Sequence, residues 1–404
     1  MNTIVLAVDR LHAGYVGAYG NTWIETPALD RLAFQSFVFD EFLVPSPGLE
    51  AVYRAYWQGL HPLLPSYGDT AVPALPGLLS ASLSTALLTD EPHLARPGLA
   101  NGFGAVVEID EPPCEDMADE VHETHLARVF ARLVDWLDSA RPPLFLWCHM
   151  RGMGGPWDAP IGFRGRYVEP GDPEPLCTAD LPDRILTADD DPDELLAITQ
   201  AYAGQVTLFD ECLGGLMEFL DGGPLAQDTL LVVLSPRGFP LGEHGRVGVA
   251  HEALYGELLQ VPLLMRLPHG LGAAGRCHGL ACPADVRTTL LDWHGLAPPP
   301  EASWALSLLP VAREDAPLPR DRLCLVRGES ERAIRTPAWY LRQSDKPELF
   351  AKPDDRWEAN DVADRCPGVA DEMLQAFQQF DELLRAGKLG ELPPLPEVLR
   401  VGLE

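Results

Sequence analysis

The sequence predicts an α/β protein: a large, mostly parallel sheet flanked by helices, then a small C-terminal α+β part with an antiparallel sheet. Three observations carry this. Apolar runs such as "NTIVLAVD", "PLFLWCHM" and "DTLLVVLS" alternate with helical segments, as strand-helix-strand crossovers require. After Pro310 the apolar runs turn short and closely spaced, which suits antiparallel strands. The 404 residues are 46% hydrophobic and 22% charged, enough for a large core and outside the disordered range. The expected division is therefore 1–310 and 311–404.

"NTIVLAVD" is the first strand. "ETPALDRLAFQSF" follows as a helix, with Thr26 as N-cap, Pro27 at the first helical position and Leu29, Leu32 and Ala33 on one face. "EAVYRAYWQGL" is a second helix, and "LSTALLT" is strand or helix. "DMADEVHETHLARVFARLVDWLDSA" reads as one long amphipathic helix, because Val121, Leu126, Val129, Leu133 and Leu137 recur at helical spacing. "PLFLWCHM" is a strand, and residues 165–192 form an acidic, Pro-rich loop. The long helix "DELLAITQAYAGQVTLFDECLGGLMEFLD" leads to the strand "DTLLVVLS". "VPLLMRLP" is another strand and "ADVRTTLLDWHG" another helix. "RLCLVRG", "RAIRT" and "AWYLRQ" are short antiparallel strands, followed by the helix "GVADEMLQAFQQFDELLRAG".

Charge narrows the function classes. Sixty acidic against thirty basic residues give a formal charge of −30, a field that repels nucleic acid and anionic lipid. No nucleic-acid or membrane partner is expected. A local basic pocket can still bind a small anion. The eight cysteines are scattered, so reduced thiols are expected. No signal peptide and no apolar stretch of spanning length is seen, which points to the cytoplasm.

Several motifs fail their context tests. Gly270–Gly275, "GLGAAG", matches a dinucleotide fingerprint, but "RCHGLACP" follows it instead of an apolar helix, so a glycine turn is expected. Cys277, His278 and Cys282 have no second ligand pair at zinc-finger spacing. His251-Glu252 lacks a second histidine four residues on. No Gly-x-Ser-x-Gly elbow and no Walker loop occurs.

The whole chain resembles a sulfatase of the alkaline-phosphatase superfamily. The segments that carry the resemblance appear in the family's order: "NTIVLAVDRLHAGYVGAYG", "TPALDRLA", "GLHP", "AYAGQVTLFDECLGGLMEFLD", "VPLLMRLP", "DVRTTLLDWHGL", "AIRTPAWYLR", "ELF" and "DDRWEANDVAD". The resemblance implies an alkaline-phosphatase/sulfatase-like fold. It also implies one divalent cation, usually calcium, on acidic side chains, and a formylglycine nucleophile at a helix N-terminus. A hard cation wants several oxygen ligands and polarises the ester oxygens.

The chain departs from that pattern at its active positions. The opening Asp-Asp pair is Asp9-Arg10, and the next acidic position falls on Gly14. The nucleophile position is Leu49 and its arginine position Tyr53, with Arg54 adjacent. The Lys-x-His pair falls on Asp90 and Pro92, beside His93. The histidine before Pro-Trp falls on Gly154, the Asp-His-Gly metal loop on Pro236-Arg237-Gly238, and the late lysine on His251. Only Asp9 survives as a vestigial metal ligand, and two arginines would repel a cation. No cofactor is therefore expected.

Asp9, Arg10, Arg54, His149, Arg237 and His251 are the candidates for an anion pocket, with no residue assigned to catalysis. Arg10 and Arg237 either point into the pocket, with Asp9 as partner, or turn outward to solvent. His149 is either a packed, satisfied histidine or a ligand or acid. Three functions follow: a sulfatase-like pseudoenzyme binding a small anion or a protein partner, a divergent ester hydrolase with an arginine-lined pocket, or a structural homo-oligomer.

Overall fold

The computed structural model describes residues 1–64, 72–110, 116–249, 253–299, 304–314 and 316–403. In chain order the first ten strands are β1 (Asn2–Val8), β2 (Phe37–Phe42), β3 (Ser84–Thr89), β4 (Ala105–Glu108), β5 (Leu144–Met150), β6 (Arg184–Ile185), β7 (Thr229–Leu234), β8 (Arg246–Val247), β9 (Leu263–Arg266) and β10 (Arg276–Ala281). β6 pairs with β8. The other eight form one sheet in the order β10-β2-β9-β7-β1-β5-β3-β4. β1 is parallel to both β5 and β7, and β3 is parallel to β5 and β4. β9 runs antiparallel to β7, so the sheet is mixed but mostly parallel.

Contacts divide the chain into two units. The first is Met1–Val38, Leu79–Glu252 and Val261–Arg276; the second is Phe39–Leu78, Ala253–Gln260 and Cys277–Glu404. Pro310, where the composition changes, lies inside the second unit.

In the first unit β1, β5 and β7 are buried along their whole length. That explains their unbroken apolar runs, since a parallel strand covered on both faces has no wet side. Ile4, Leu6 and Val8 share one apolar cluster with Leu126, Val129 and Leu133 of the helix His125–Ser139. Val206, Phe209 and Leu213 of the 31-residue helix Pro192–Gly222 join the same cluster. Each fully buried leucine there is worth about 2 kcal/mol of burial.

Two helix starts differ from expectation. The long helix begins only at His125, after the short turn Val121–Glu123, because Thr124 is extended (ψ 151°) and its hydroxyl accepts from Ala127 N. Thr26 precedes the helix Pro27–Phe34 but makes no side-chain cap. Asp210 does that work instead, accepting from Ala28 N at 2.9 Å and Leu29 N at 2.7 Å. Burial pushes the Asp210 carboxyl up to about 6 against these two hydrogen bonds. Asp210→Ala is expected to cost about 2 kcal/mol by orphaning two N–H groups, read by denaturant unfolding.

β2, β4 and β10 are strands that periodicity does not announce. The Gly270–Gly275 segment is a chain of turns with Gly270 and Gly272 at positive φ, followed by β10 rather than a helix. His278 on β10 pairs with Asp40 at 2.8 Å. No helix among the described residues is long and apolar enough to cross a membrane.

The second unit holds a four-stranded antiparallel sheet, β11 (Leu323–Arg327), β12 (Glu331–Arg335), β13 (Trp339–Gln343) and β14 (Pro347–Ala351), paired in sequence order. The helix Pro367–Arg385 lays Met373, Phe377 and Phe380 on Ile334, Leu341 and Leu349. Glu331 is fully buried at the start of β12 and accepts from Arg342 Nε, Arg327 Nε and Leu254 N.

Candidate functional site

The carboxyl ends of β3, β5, β1 and β7 lie side by side in that order, the place where open α/β sheets carry their chemistry. Asp90 follows β3, His149 lies near the end of β5, Asp9 and Arg10 follow β1, and Ser235 to Gly238 follow β7. Backbone bonds fix the row: Asp9 N donates to Met150 O at 2.9 Å, and Met153 N donates to Asp9 O at 3.0 Å.

Arg237 clasps Asp9 with a two-pronged ion pair. Its Nε lies 3.1 Å from Asp9 Oδ1, and its Nη2 donates to Oδ2. Such fork-to-carboxylate contacts are among the stronger hydrogen-bonded pairs. Asp9 is 4% exposed. Burial alone would raise its carboxyl, but the Arg237 charge and hydrogen bonds outweigh it. Arg10 and His149 add to the effect and hold the group below the ordinary carboxylate range.

Arg10 also turns inward. It is 3% exposed, and its Nη1 donates to Gly238 O at 3.3 Å. Its backbone takes a left-handed φ of 65°, unusual for a residue with a side chain. Three contacts hold it there. Its own N donates to Asp9 Oδ1 at 3.1 Å, its carbonyl accepts from Tyr202 Oη at 2.8 Å, and Tyr202 Oη accepts from His12 N. Ser235 Oγ links the two loops, accepting from Leu11 N and donating to Arg237 O at 2.6 Å. The two outcomes left open for the arginines thus resolve inward, on Asp9 and on Gly238.

His149 is fully buried between two carboxylates. Burial pushes its imidazole down; Asp9 and Asp90 pull it up, Arg237 opposes them, and the net result is a lowered value. The net direction favours the neutral ring. Asp90, at the family's lysine position, accepts from Arg151 N at 2.8 Å and sits 2.7 Å from His125 Nε2. Sequence reading missed this pair. His125 lay hidden inside the over-long helix, and the usable signal was Thr124, a capping residue just before it.

Three candidates remain. Leu49 and Arg54 belong to the second unit. Leu49 is the first residue of the helix Leu49–Gln58, the type of position the resemblance gave the nucleophile. Arg54 pairs with Glu50 at 2.7 Å, both partly exposed. His251 lies outside the described residues.

The described residues at the strand tips do not fit a divalent cation. Both Asp9 oxygens are taken by Arg237, and among the described residues no three His, Cys, Asp or Glu side chains come together to hold a metal ion. A hard cation needs several oxygens and no adjacent guanidinium.

The sequence pattern of the family described as Sulfatase matches residues 1–296. The chain belongs to the sulfatase family. This sulfatase-family chain is 31% identical over 120 residues to an N-acetylglucosamine-6-O-sulfatase of Bacteroides thetaiotaomicron. It is 32% identical over 129 residues to the multifunctional alkaline phosphatase superfamily protein PehA of Trinickia caryophylli. These matches cover 30% and 31% of the chain but only 21% and 24% of the relatives. In fold it resembles the phosphonate monoester hydrolase of Agrobacterium radiobacter, with a TM-score of 0.78, 18% identity and 96% of each chain covered. It also resembles a protein solved with its substrate D-glucosamine-2-N,6-O-disulfate, with a TM-score of 0.76, 17% identity, and 97% and 99% covered. At these identities the likeness concerns the fold, an alkaline-phosphatase-type sheet.

Proposed function

We propose that this sulfatase-family protein has lost metal- and formylglycine-dependent ester hydrolysis and keeps the scaffold to bind a small anion or a partner. The observation that carries this reading is the Asp9–Arg237 clasp. A guanidinium stands on the one carboxylate that survives at the family's metal position. Its fixed charge cannot be titrated away, so the strand-tip row is closed to calcium. Leu49 at the nucleophile position agrees, since a leucine cannot be converted into an aldehyde hydrate.

The test is turnover. Purified protein is incubated with aryl sulfate and aryl phosphate esters, with calcium, with manganese, and with chelator. No turnover above buffer is expected under any condition. Turnover that needs the cation and disappears in Asp9→Ala would overturn the reading. Turnover insensitive to chelator would instead establish the alternative, an ester hydrolase working through arginines and a histidine.

A further inference from the structure

His61, the histidine of the "GLHP" segment, lies in the second unit and is 2% exposed. Both of its ring nitrogens are engaged. Nδ1 accepts from Leu63 N at 3.2 Å, and Nε2 lies 2.9 Å from the carbonyl oxygen of Cys324 on β11. These partners assign the proton. A ring nitrogen that accepts from an amide carries no hydrogen, and one that meets a carbonyl must carry it. The ring is thus held as one neutral tautomer. Trp304 and Phe380 close around it edge-on, with ring centres 5.5 Å and 5.3 Å away.

The ring ties three parts of the unit together. Gly59, two residues before it, ends the helix Leu49–Gln58 and accepts from Trp304 Nε1 at 3.2 Å. Leu63 and Leu64, just after it, pack on the apolar cluster shared by the four-stranded sheet and the helix Pro367–Arg385, which carries Phe380. A proton added at Nδ1 would meet the Leu63 N–H donor against donor, and it would put a charge among apolar rings.

We propose that His61 is an acid-sensitive latch, whose protonation releases residues 61–64 from β11 and from the helix Pro367–Arg385. The latch does not depend on what the strand tips of the first unit bind. Among the described residues two charged groups act on the ring. Asp381 favours its charged form but is paired with Arg385 at 2.7 Å, and Arg320 opposes that form and is paired with Asp285 at 2.8 Å. The Cys324 thiol is pushed up by burial and stays neutral. Burial is the largest influence on His61 and pushes its imidazole down from the ordinary 6.5 to about 4. The released segment therefore takes up a proton at a higher pH than the latched one. The latch is complete above a pH of about 6.5 and weakens as the pH falls toward 4.

Hydrogen exchange of the full chain, corrected for the intrinsic rate and followed by mass spectrometry at pH 7 and pH 5, reads the latch directly. The reporters are the amides of Leu63 and Leu64, which donate to His61 Nδ1 and His61 O. Their protection is expected to fall roughly twentyfold between the two pH values, while β1 and β5 keep theirs. His61→Gln retains a donor for Cys324 O but takes up no proton in this range, so its protection should be the same at both pH values, whatever its level. His61→Phe, which keeps an aromatic ring in place, carries the same expectation and serves if the first variant does not fold. Unchanged protection of Leu63 and Leu64 in the wild type, a fall shared equally by β1 and β5, or a variant that repeats the wild-type fall would each overturn the latch.

Discussion

Arg237→Ala is expected to destabilise the first unit by about 3–5 kcal/mol, because it leaves the Asp9 carboxylate buried without its charge partner. In a chain of this size that lowers the unfolding midpoint by roughly 5 °C. The pair lies in a nearly dry setting, with the Arg237 and Asp9 side chains 14% and 5% exposed, so solvent screens it little. The pH dependence gives the sign. In the wild type the folded Asp9 carboxyl is held below its unfolded value. Its contribution is therefore complete above a pH of about 4 and is lost as the pH falls through the folded value. In the alanine variant burial prevails and Asp9 moves above the unfolded value, so the variant gains stability as the pH falls toward 4. Denaturant unfolding of both proteins between pH 4 and 8 should show the gap narrowing on the acid side. A constant gap would mean that Arg237 acts through packing alone. Asp9→Asn combined with Arg237→Gln, which removes both charges, should cost far less than Arg237→Ala.

A comparable loss is expected in the second unit from Glu331→Ala. Glu331 is fully buried and serves Arg342, Arg327 and the Leu254 N–H at once. Burial pushes its carboxyl up, but hydrogen bonds from Arg327 and Leu254 and the Arg342 charge hold it below the ordinary value. Deleting it leaves a 9%-exposed Arg342 side chain with Glu348 as its remaining acidic partner and an orphaned amide. The expected cost is about 3–5 kcal/mol. Glu331→Gln should recover part of it, since the amide still accepts hydrogen bonds. Thermal unfolding of the two variants checks this, and equal losses would show that charge, not hydrogen bonding, is what β12 needs.

The sequence was most legible where burial is complete. β1, β5 and β7 are covered throughout, so their apolar runs could only be inner strands. β2, "FVFDEF", mixes acids into an apolar run, and β10, "RCHGLA", has glycine and histidine without a period, so neither declared itself. β4 is exposed at all four positions, as an edge strand can be. At the strand tips, position in the family pattern named Asp9, Arg10 and Arg237, its place at a strand end named His149, and the fold brings these four together. What no pattern could supply was direction. Arg237 meets Asp9 228 residues away, and Asp90 meets His125 across 35. Such pairings are decided by sheet order, which a one-dimensional reading does not contain. The same holds for Asp210, which caps a helix 181 residues upstream.

Gly154 stands where the family pattern carries a histidine. A β-carbon added there would start 3.4 Å from Arg10 Cγ and 3.8 Å from Asp9 Oδ2. Both are ordinary van der Waals distances, so a side chain at this position would lie against the stem of Arg10 and the carboxylate gripped by Arg237. The glycine and the clasp are therefore neighbours at the strand tips. A histidine placed there would lie against the Arg10 stem, while removing Arg237 alone strands the Asp9 charge. A histidine at this place together with an unpaired carboxylate at Asp9 would need several substitutions at once. The residues at the strand tips are interlocked, so a change at one of them is felt by its neighbours.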